Sequence, residues 1–297
     1  MTTLVLGADG QVGSALRKTL ADDGTTFVSR SDIDLEKPDL IADYLLRKKP
    51  ACIVNAAAYT QVDLAESEEE KAFAVNSTAV EILAKYAFDH DATLVHYSTD
   101  YVFDGETTAP YLETDLPAPI NVYGKSKWSG EQKIISSGCR HIIFRTSWVI
   151  SAVGKNFIKT ILRLAKERGS LSVVNDQIGS PTSANLIARV TKEILLSDSK
   201  DSIENGIYHL ASSGVTTWFD VARFAIKTAN ERDFKTHCSE SDVLPITTSQ
   251  YPLPAPRPRN SKLNTGKLER ILSKGLPRWE RCVEEVVREI VEGEVEL

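Results

Sequence analysis

The feature that most constrains this chain is a glycine-rich turn between a short apolar run and a helix-like stretch. Residues 3–6 read as a buried strand, Gly7, Gly10 and Gly13 follow at once, and the next residues have helical apolar spacing. A strand, a glycine turn and a helix in this order are typical of a dinucleotide site, since glycines let the backbone approach a pyrophosphate at the helix N-terminus. The spacing is G-x-x-G-x-x-G, and its position favours a nucleotide site over a bare structural turn.

The alternation of strand and helix then repeats along the first half of the chain. Further buried strands are predicted at 26–29, 51–55, 93–98 and 140–145, with helical spacing between them. Such alternation is typical of an α/β fold whose parallel sheet is doubly wound and binds ligands at the carboxyl ends of its strands. We therefore predict a Rossmann-type sheet with a smaller C-terminal lobe.

The regular pattern ends near residue 145. Residues 1–145, with about 183–212 returning to the sheet, are predicted to form the nucleotide-binding domain. About 146–182 and 213–297 would form the lobe that binds the substrate, because these segments are rich in turns and prolines.

The residue after the second strand indicates which dinucleotide is bound. Dinucleotide folds read the adenosine ribose at this point: an acid suits the 2'-hydroxyl of NAD, whereas an arginine suits the 2'-phosphate of NADP. Arg30 stands there, so NADPH is favoured. The nearby Asp32 keeps NADH possible, and a solvated arginine without a ligand is a further interpretation of Arg30.

Two tyrosines are followed four residues later by a lysine. Asn121 is placed to cap a helix on which Tyr123 and Lys127 share one face, and Tyr44 with Lys48 has the same spacing. An ammonium group beside a phenol lowers a pKa that is ordinarily about 10, which makes the tyrosine a usable proton donor and acceptor. Spacing alone does not distinguish the two pairs.

Context separates them. Thr99 follows the fourth strand directly, and it shares the predicted carboxyl edge of the sheet with Gly7 and Arg30. Its hydroxyl is suited to hold a substrate carbonyl next to the tyrosine. This agreement favours Tyr123 and Lys127 as the catalytic pair.

Charge and cysteine usage exclude several classes of protein. The net charge of -6 argues against nucleic-acid or anionic-membrane partners, and no apolar run approaches the roughly 18 residues that span a bilayer. The four cysteines lie far apart, without zinc spacing, and are interpreted as free thiols. With no basic leader before the first strand, a cytoplasmic protein is expected.

Seven ordered motifs resemble the dTDP-4-dehydrorhamnose reductase family, which belongs to the extended short-chain dehydrogenases. The resemblance runs from the first strand to about Leu268. The motifs stand at residues 7–13, 54–60, 98–103, 123–127, 145–148, 176–182 and 256–261. Together they are specific to the family, though not to one sugar.

The resemblance implies hydride transfer from NADPH or NADH to the C4 ketone of a dTDP-linked 6-deoxyhexulose, giving dTDP-L-rhamnose. It implies that Tyr123 donates the proton and that Lys127 lowers the pKa of Tyr123 and holds the nicotinamide ribose. The further contacts that it implies are to the pyrophosphate by Gly10, Gln11 and Val12, to the adenine by Asp34 and Leu35, to the middle of the cofactor by Ala58, Tyr59 and Thr60, and to the substrate by Thr99, Asp100 and Trp148.

Two expectations concern charge at other positions. Some family members dimerise through a magnesium site whose ligands include a glutamate two residues after the third glycine. Ala15 stands there, so no metal is expected, and the chain is expected to be a monomer or a homodimer. Arg257 and Arg259 are candidates for the diphosphate of the nucleotide sugar, with a surface salt-bridge role as the competing interpretation.

Competing functions remain open from the sequence. A regulatory subunit of the methionine adenosyltransferase type resembles this family and binds NADP without turnover. A 4-ketoreductase of another nucleotide deoxysugar and a reductase of a small carbonyl metabolite are two more candidate functions. The partners expected of the favoured enzyme are a nucleotide-sugar substrate and other enzymes of the sugar pathway.

Overall fold

A central parallel sheet organises the chain in the computed structural model, which describes residues 2–21, 24–196 and 203–293. The described strands are β1 (Thr3–Leu6), β2 (Thr25–Val28), β3 (Cys52–Asn55), β4 (Thr93–Thr99), β5 (Arg140–Thr146), β6 (Val149–Ile150), β7 (Leu171–Val174), β8 (Ile178–Gly179), β9 (Thr182–Ser183), β10 (Gly206–His209), β11 (Thr216–Thr217) and β12 (Val243–Ile246). Six of them form the main sheet in the order β10-β5-β4-β3-β1-β2. Every neighbouring pair in it is parallel.

Helices cover both faces of this sheet. The described α-helices are α1 (Gln11–Leu20), α2 (Pro38–Lys48), α3 (Val62–Ala65), α4 (Glu69–Phe73), α5 (Ala79–Asp89), α6 (Val122–Ser137), α7 (Phe157–Glu167), α8 (Ala184–Leu196), α9 (Trp218–Asn230), α10 (Gly266–Leu272) and α11 (Trp279–Glu292). A π-helical turn, Ala74–Thr78, joins α4 to α5, and a 3-10 turn, Asp100–Val102, follows β4.

Alternate residues of the strands face opposite helical layers, because successive side chains of a strand point to opposite faces. Val5 and Val54 pack in the cluster that contains residues of α1, α8 and α11. Leu4 and Ile53 pack in the cluster on the other face, with residues of α2 and α5. Buried on both faces, these strands contain continuous apolar runs, and the predicted α/β class with a doubly wound parallel sheet is confirmed.

The second half of the chain contributes both to the sheet and to a separate apolar cluster. β10 lies at the sheet edge beside β5, and α8 packs on α1. A smaller cluster joins α7 and α9 to the two-stranded sheet of β7 and β12. The division into a nucleotide domain and a substrate lobe stays a prediction.

All four cysteines are buried as thiols.

No helix within the described ranges is long and apolar enough to cross a membrane.

Candidate active site

The catalytic helix α6 begins where its cap predicts. Asn121 Oδ1 accepts a hydrogen bond from the backbone N–H of Gly124 at 2.8 Å, so the first turn of the helix includes Tyr123. The carboxylate of Glu66 accepts from the N–H of Val122 at 2.8 Å. Asn121 Nδ2 also donates to the carbonyl of Pro256 at 2.9 Å, which ties the helix start to the segment that follows β12.

Lys127 lies one turn further along α6 and is 1% exposed. Its Nζ donates to the carbonyl of Tyr97 at 2.7 Å and lies 3.2 Å from His96 Nε2. Burial lowers the pKa of Lys127 to about 8, while the negative charge of Glu131 opposes this fall. An amine with this pKa exchanges protons readily near neutral pH.

Tyr123 is half-buried, and its ring meets that of Tyr101 edge-on with the centroids 5.8 Å apart. Burial raises the pKa of Tyr123 above its ordinary value, and the negative charge of Asp100 adds to the rise. Hydrogen bonding with the Thr99 hydroxyl opposes the rise. Burial of the phenol outweighs the effect of Thr99, and the expectation that Lys127 lowers this pKa stays a prediction. Tyr123 is held as a neutral phenol, which is the form that donates a proton.

Polar groups gather at the carboxyl ends of β4 and β5. Thr99 Oγ1 donates to Asp100 Oδ1 at 3.0 Å and accepts from the N–H of Tyr101 at 3.1 Å. Burial raises the pKa of Asp100 to about 6, against hydrogen bonding by the hydroxyls of Ser261 and Thr99. The hydroxyls of Thr146 and Ser147 are buried without a hydrogen-bond partner within the described part of the chain. Unpaired buried hydroxyls are costly, so a polar ligand is expected beside them.

An open cavity of about 520 Å³ lies along this edge of the sheet. It brings together all the residues predicted to bind the cofactor except Gly13. They are Gly7, Gly10, Gln11, Val12, Arg30, Asp34, Leu35, Ala58, Tyr59, Thr60, Tyr123 and Lys127. The residues predicted to bind the substrate do not line this cavity.

The glycine turn has the shape that a pyrophosphate requires. A Cβ at Gly13 would lie 2.0 Å from the carbonyl oxygen of Gly7, so only glycine lets α1 approach the turn this closely. Gly7 has φ 77° and leaves room for the N–H of Ala57, which a Cβ would meet at 2.6 Å. Gln11 Oε1 is buried with no partner in the described ranges. These features fit a dinucleotide whose phosphates sit at the start of α1.

Arg30 and Asp34, which are predicted to meet the adenosine part of the cofactor, both line the cavity. The guanidinium group of Arg30 is largely exposed and pairs with Glu36 at 2.5 Å. An exposed pair of this kind is weak, so Arg30 is able to exchange Glu36 for a phosphate.

Asn76, in the π-helical turn, orients the loop that carries Tyr59. Its Oδ1 accepts from the backbone N–H of Tyr59 at 2.9 Å, and its Nδ2 donates to the carbonyl of Tyr59 at 3.0 Å and to Ser126 Oγ at 3.0 Å. The side chain is 1% exposed. Asn76 therefore links this loop to the catalytic helix.

Trp148 follows β5 with φ 47°, a backbone conformation that is strained for a bulky residue. Its ring is stacked on that of Trp218 with 3.7 Å between centroids, and Gly179 leaves room for the indole. The side chain is 9% exposed. Its contact with the substrate stays a prediction.

Arg257 is held in an ion pair that the sequence did not reveal. Its guanidinium nitrogens bind Asp63 in a two-point contact at 2.6 and 2.7 Å. The salt-bridge interpretation thus describes Arg257 in this structure, and a diphosphate would compete with Asp63. Arg259 is exposed, and its carbonyl accepts from the N–H of Ile178 at 2.7 Å.

Several residues of the site were missed by sequence reasoning. The cavity is also lined by Val75, Thr146, Val149, Gly154 and Lys155. Gly154 and Lys155 lie in an irregular loop before α7, where no periodicity marks them. His96 stands inside the apolar strand β4 and Asn55 is the last residue of β3, and at neither position does a spacing mark the polar residue as part of a site.

Ala15 is buried in α1, the helix that packs on α8. The absence of a magnesium site at this position remains a prediction.

Comparisons with known proteins bear on this geometry. A family model described as the RmlD substrate binding domain matches residues 1–292. The chain is 44% identical to the dTDP-4-dehydrorhamnose reductase of Salmonella typhimurium, over 98% of both chains, and 43% identical to that of Escherichia coli K12 over the same shares. Among solved structures, it resembles a dTDP-4-dehydrorhamnose reductase from Bacillus anthracis in complex with NADP. That match has a TM-score of 0.86 and 33% identity over 97% of this chain and 100% of the other.

Proposed function

The chain belongs to the RmlD substrate binding domain family, and from this membership we propose that it reduces the C4 ketone of dTDP-4-dehydro-L-rhamnose to give dTDP-L-rhamnose. It is an NADPH-dependent oxidoreductase. The observation that carries the proposal is the meeting of Tyr123 and Lys127 with the glycine turn in one cavity. The reductases among the relatives favour this enzyme over a regulatory subunit.

The residues that line the cavity suit successive parts of NADPH. The start of α1, with Gly10, Gln11 and Val12, would hold the pyrophosphate, and Arg30 would meet the 2'-phosphate. Ala58, Tyr59 and Thr60 would hold the middle of the cofactor. When bound, the nicotinamide supplies a hydride to the C4 carbon of the ketone.

The side chains of the protein supply the proton. Tyr123, held as a neutral phenol, gives its proton to the C4 oxygen as that oxygen gains charge, and the phenolate that remains is stabilised by the cationic form of Lys127. Thr99 would orient the C4 oxygen, because its hydroxyl interacts with the phenol of Tyr123. Asp100 and the unpaired hydroxyls of Thr146 and Ser147 would bind hydroxyls of the sugar.

The test is NADPH oxidation followed spectrophotometrically with dTDP-4-dehydro-L-rhamnose generated in situ. We expect turnover with this substrate, with other nucleotide 4-ketosugars and NADH as comparisons. A folded protein that binds NADPH but turns over none of them, and copurifies with a synthetase subunit, would indicate the regulatory role instead.

Lys155 is expected to strengthen cofactor binding. It is exposed at the rim of the cavity beside Gly154, which packs against Gln11 of the glycine turn. Lys155→Ala should raise the NADPH dissociation constant about fivefold, since an exposed charge pair contributes about 1 kcal/mol. Fluorescence titration of the cofactor measures this effect, which should shrink as salt is added.

Lys155→Arg keeps the charge and should bind NADPH as the wild type does. The matched control is Lys159→Ala, which removes a lysine one turn into α7 that does not line the cavity. Equal weakening by the two alanine variants would mean that general charge, rather than the position of Lys155, attracts the cofactor.

Arg257 and Arg259 are expected to bind the diphosphate of the sugar nucleotide. Arg257→Ala and Arg259→Ala should each raise the substrate KM, because guanidinium groups donate to phosphate oxygens in fork geometry. Asp63→Asn separates binding from structure, since it removes the competing charge while leaving Arg257 in place.

If Arg257 binds the diphosphate, Asp63→Asn leaves the substrate KM unchanged or lower. If the Asp63 ion pair only positions the segment 255–261, Asp63→Asn raises the KM as Arg257→Ala does. Unchanged KM and binding constants in both arginine variants would remove the diphosphate role.

The remaining partners are proposals of the same kind. The chain is proposed to work as a monomer or a homodimer beside other enzymes of the sugar pathway. A cytoplasmic location is supported by its four buried thiols, which suit a reducing compartment.

A further inference from the structure

A chain of buried polar groups connects the loop after β3 with the amino group of Lys127. Asn55 is 1% exposed and His96 is fully buried. The N–H of Ala57 donates to Asn55 Oδ1 at 3.2 Å, and Asn55 Nδ2 lies 3.1 Å from His96 Nδ1. His96 Nε2 lies 3.2 Å from Lys127 Nζ. The mechanism above uses neither Asn55 nor His96.

The backbone N–H of Ala57 fixes which group donates and which accepts along this series of hydrogen bonds. A backbone N–H can only donate, so Asn55 must present its oxygen to Ala57 and its NH₂ group to the ring. His96 Nδ1 must then accept, and a neutral imidazole that accepts at Nδ1 carries its proton on Nε2. That N–H points at Lys127 Nζ. As a free amine, Nζ accepts a hydrogen bond from it and donates a hydrogen bond to the carbonyl of Tyr97.

The reverse arrangement leaves one conflict. If Lys127 donates to His96 Nε2 as an ammonium, the ring proton moves to Nδ1 and needs the oxygen of Asn55. The NH₂ group of Asn55 would then face the N–H of Ala57, donor against donor, at the buried side chain of Asn55. An unmade hydrogen bond of a buried group costs about 1–3 kcal/mol, which favours the first arrangement.

We propose that Asn55 and His96 are positioning residues, which hold Lys127 Nζ by a one-directional hydrogen-bond chain from Ala57 and favour its free amine. The inference deepens the function proposed above, since Lys127 acts there as the partner of Tyr123. Ala57 lines the cofactor cavity, so the same chain joins the cofactor loop to the catalytic lysine.

The burial of Lys127 agrees with this assignment, whereas the negative charge of Glu131 opposes it. A hydrogen bond given to the amine form lowers the pKa of a lysine, in the same direction as the burial that brings it to about 8. Burial, with the charge of Lys127 next, holds the pKa of His96 well below its usual range, so the ring is neutral. The other titratable groups near this site are Tyr123 and Glu131 on the same helix, Arg145 on β5 paired to Glu131, and Asp100 after β4.

The first test is the tautomer of His96 in the protein without cofactor. Long-range ¹H–¹⁵N correlation spectra of labelled protein distinguish a neutral ring protonated at Nε2 from one protonated at Nδ1. We expect the Nε2–H form for His96 above pH 8, where the free amine of Lys127 prevails. The signal is assigned by its loss in His96→Gln, or by elimination through substitutions of the other four histidines if that variant does not fold.

Asn55→Asp is a nearly isosteric switch of the tautomer. Both oxygens of an aspartate accept, so the ring must donate from Nδ1, and Nε2 is left to accept from a Lys127 ammonium. We expect the Nδ1–H form in this variant, with the pKa of Lys127 raised by about one or more, because a negative charge and a new acceptor both favour the ammonium. Titration of the lysine side-chain carbon shifts, assigned with Lys127→Met, measures this pKa.

The same variant should change the pH profile of turnover in a defined direction. The ammonium of Lys127 stabilises the phenolate, so kcat falls as pH rises through the pKa of Lys127, near pH 8 in the wild type. In Asn55→Asp this fall should move to higher pH. The control is His141→Gln on β5, whose ring Nδ1 lies 2.8 Å from the carbonyl of Cys139, and it should leave the pKa of Lys127 unchanged.

An Nδ1–H ring in the wild type above pH 8 would overturn the proposal, as would a Lys127 pKa that is equal in Asn55→Asp and the wild type. Both results come from spectra of the unliganded protein. A failure of the proposed ketoreductase activity is therefore distinguishable from a failure of this inference.

Discussion

Tyr123→Phe is expected to lower kcat by about 10²–10⁴-fold, the usual contribution of a positioned proton donor. The variant loses one oxygen atom at the point where Thr99 and Tyr101 surround the phenol. Because the pKa of Tyr123 is raised by burial, the phenol stays protonated throughout the neutral range. The loss should therefore be similar across that range, and NADPH should still bind.

The chain offers a matched control for this substitution. Tyr44 has a lysine at the same spacing, but its ring lies under Lys48 Nζ at 5.7 Å on α2, away from the cavity. Tyr44→Phe should leave kcat within a factor of about two, as a surface change usually does. Turnover by Tyr123→Phe at the rate of the wild type would remove Tyr123 as the proton donor.

Glu131→Ala is expected to destabilise the fold by about 3–5 kcal/mol, because it leaves the charge of Arg145 buried and unpaired. The two side chains are 1% and 2% exposed, and Arg145 Nη2 lies 2.6 Å from Glu131 Oε2. Ser98 Oγ also donates to Glu131. The pair joins helix α6 to strand β5, so its loss should also weaken the packing of the catalytic helix on the sheet.

Urea unfolding at pH 7, read by circular dichroism, measures this free energy. Replacing both partners with Glu131→Met and Arg145→Met should recover most of the loss, since apolar residues of similar volume need no partner. Lys133→Ala is the comparison on the same helix. It breaks an exposed pair with Glu81 and should cost under about 1 kcal/mol. A similar small loss in Glu131→Ala would mean that water reaches Arg145.

Local patterns in the sequence predicted most of the fold. The strand-turn-helix at Gly7 to Gly13 and the repeated alternation predicted the parallel sheet, and α2 (Pro38–Lys48) lies between β2 and β3, where helical spacing was noted. The predicted carboxyl ends of the fourth and fifth strands were one residue too short. β4 continues to Thr99 and β5 to Thr146, which places both hydroxyls at the ligand edge of the sheet.

Contacts between distant segments were beyond the reach of local patterns. Asp63 and Arg257 stand 194 positions apart, and Lys155 approaches the glycine turn only through an irregular loop. None of these three residues carries a periodicity or a spacing that points to its partner. Such pairs depend on how the layers pack, and one sequence contains no measure of that packing.

By itself, the sequence determined the order of strands and helices, the glycine turn and the spacing of Tyr123 and Lys127, because each is set by backbone geometry over a few residues. The tertiary structure decided where the Lys127 amino group points and how its pKa moves. Helical spacing places Lys127 near Tyr123, but Nζ turns to the carbonyl of Tyr97 and the ring of His96. Burial raises the pKa of the Tyr123 phenol and lowers the pKa of the Lys127 amine. Burial is a property of the packed layers, and no local spacing contains it.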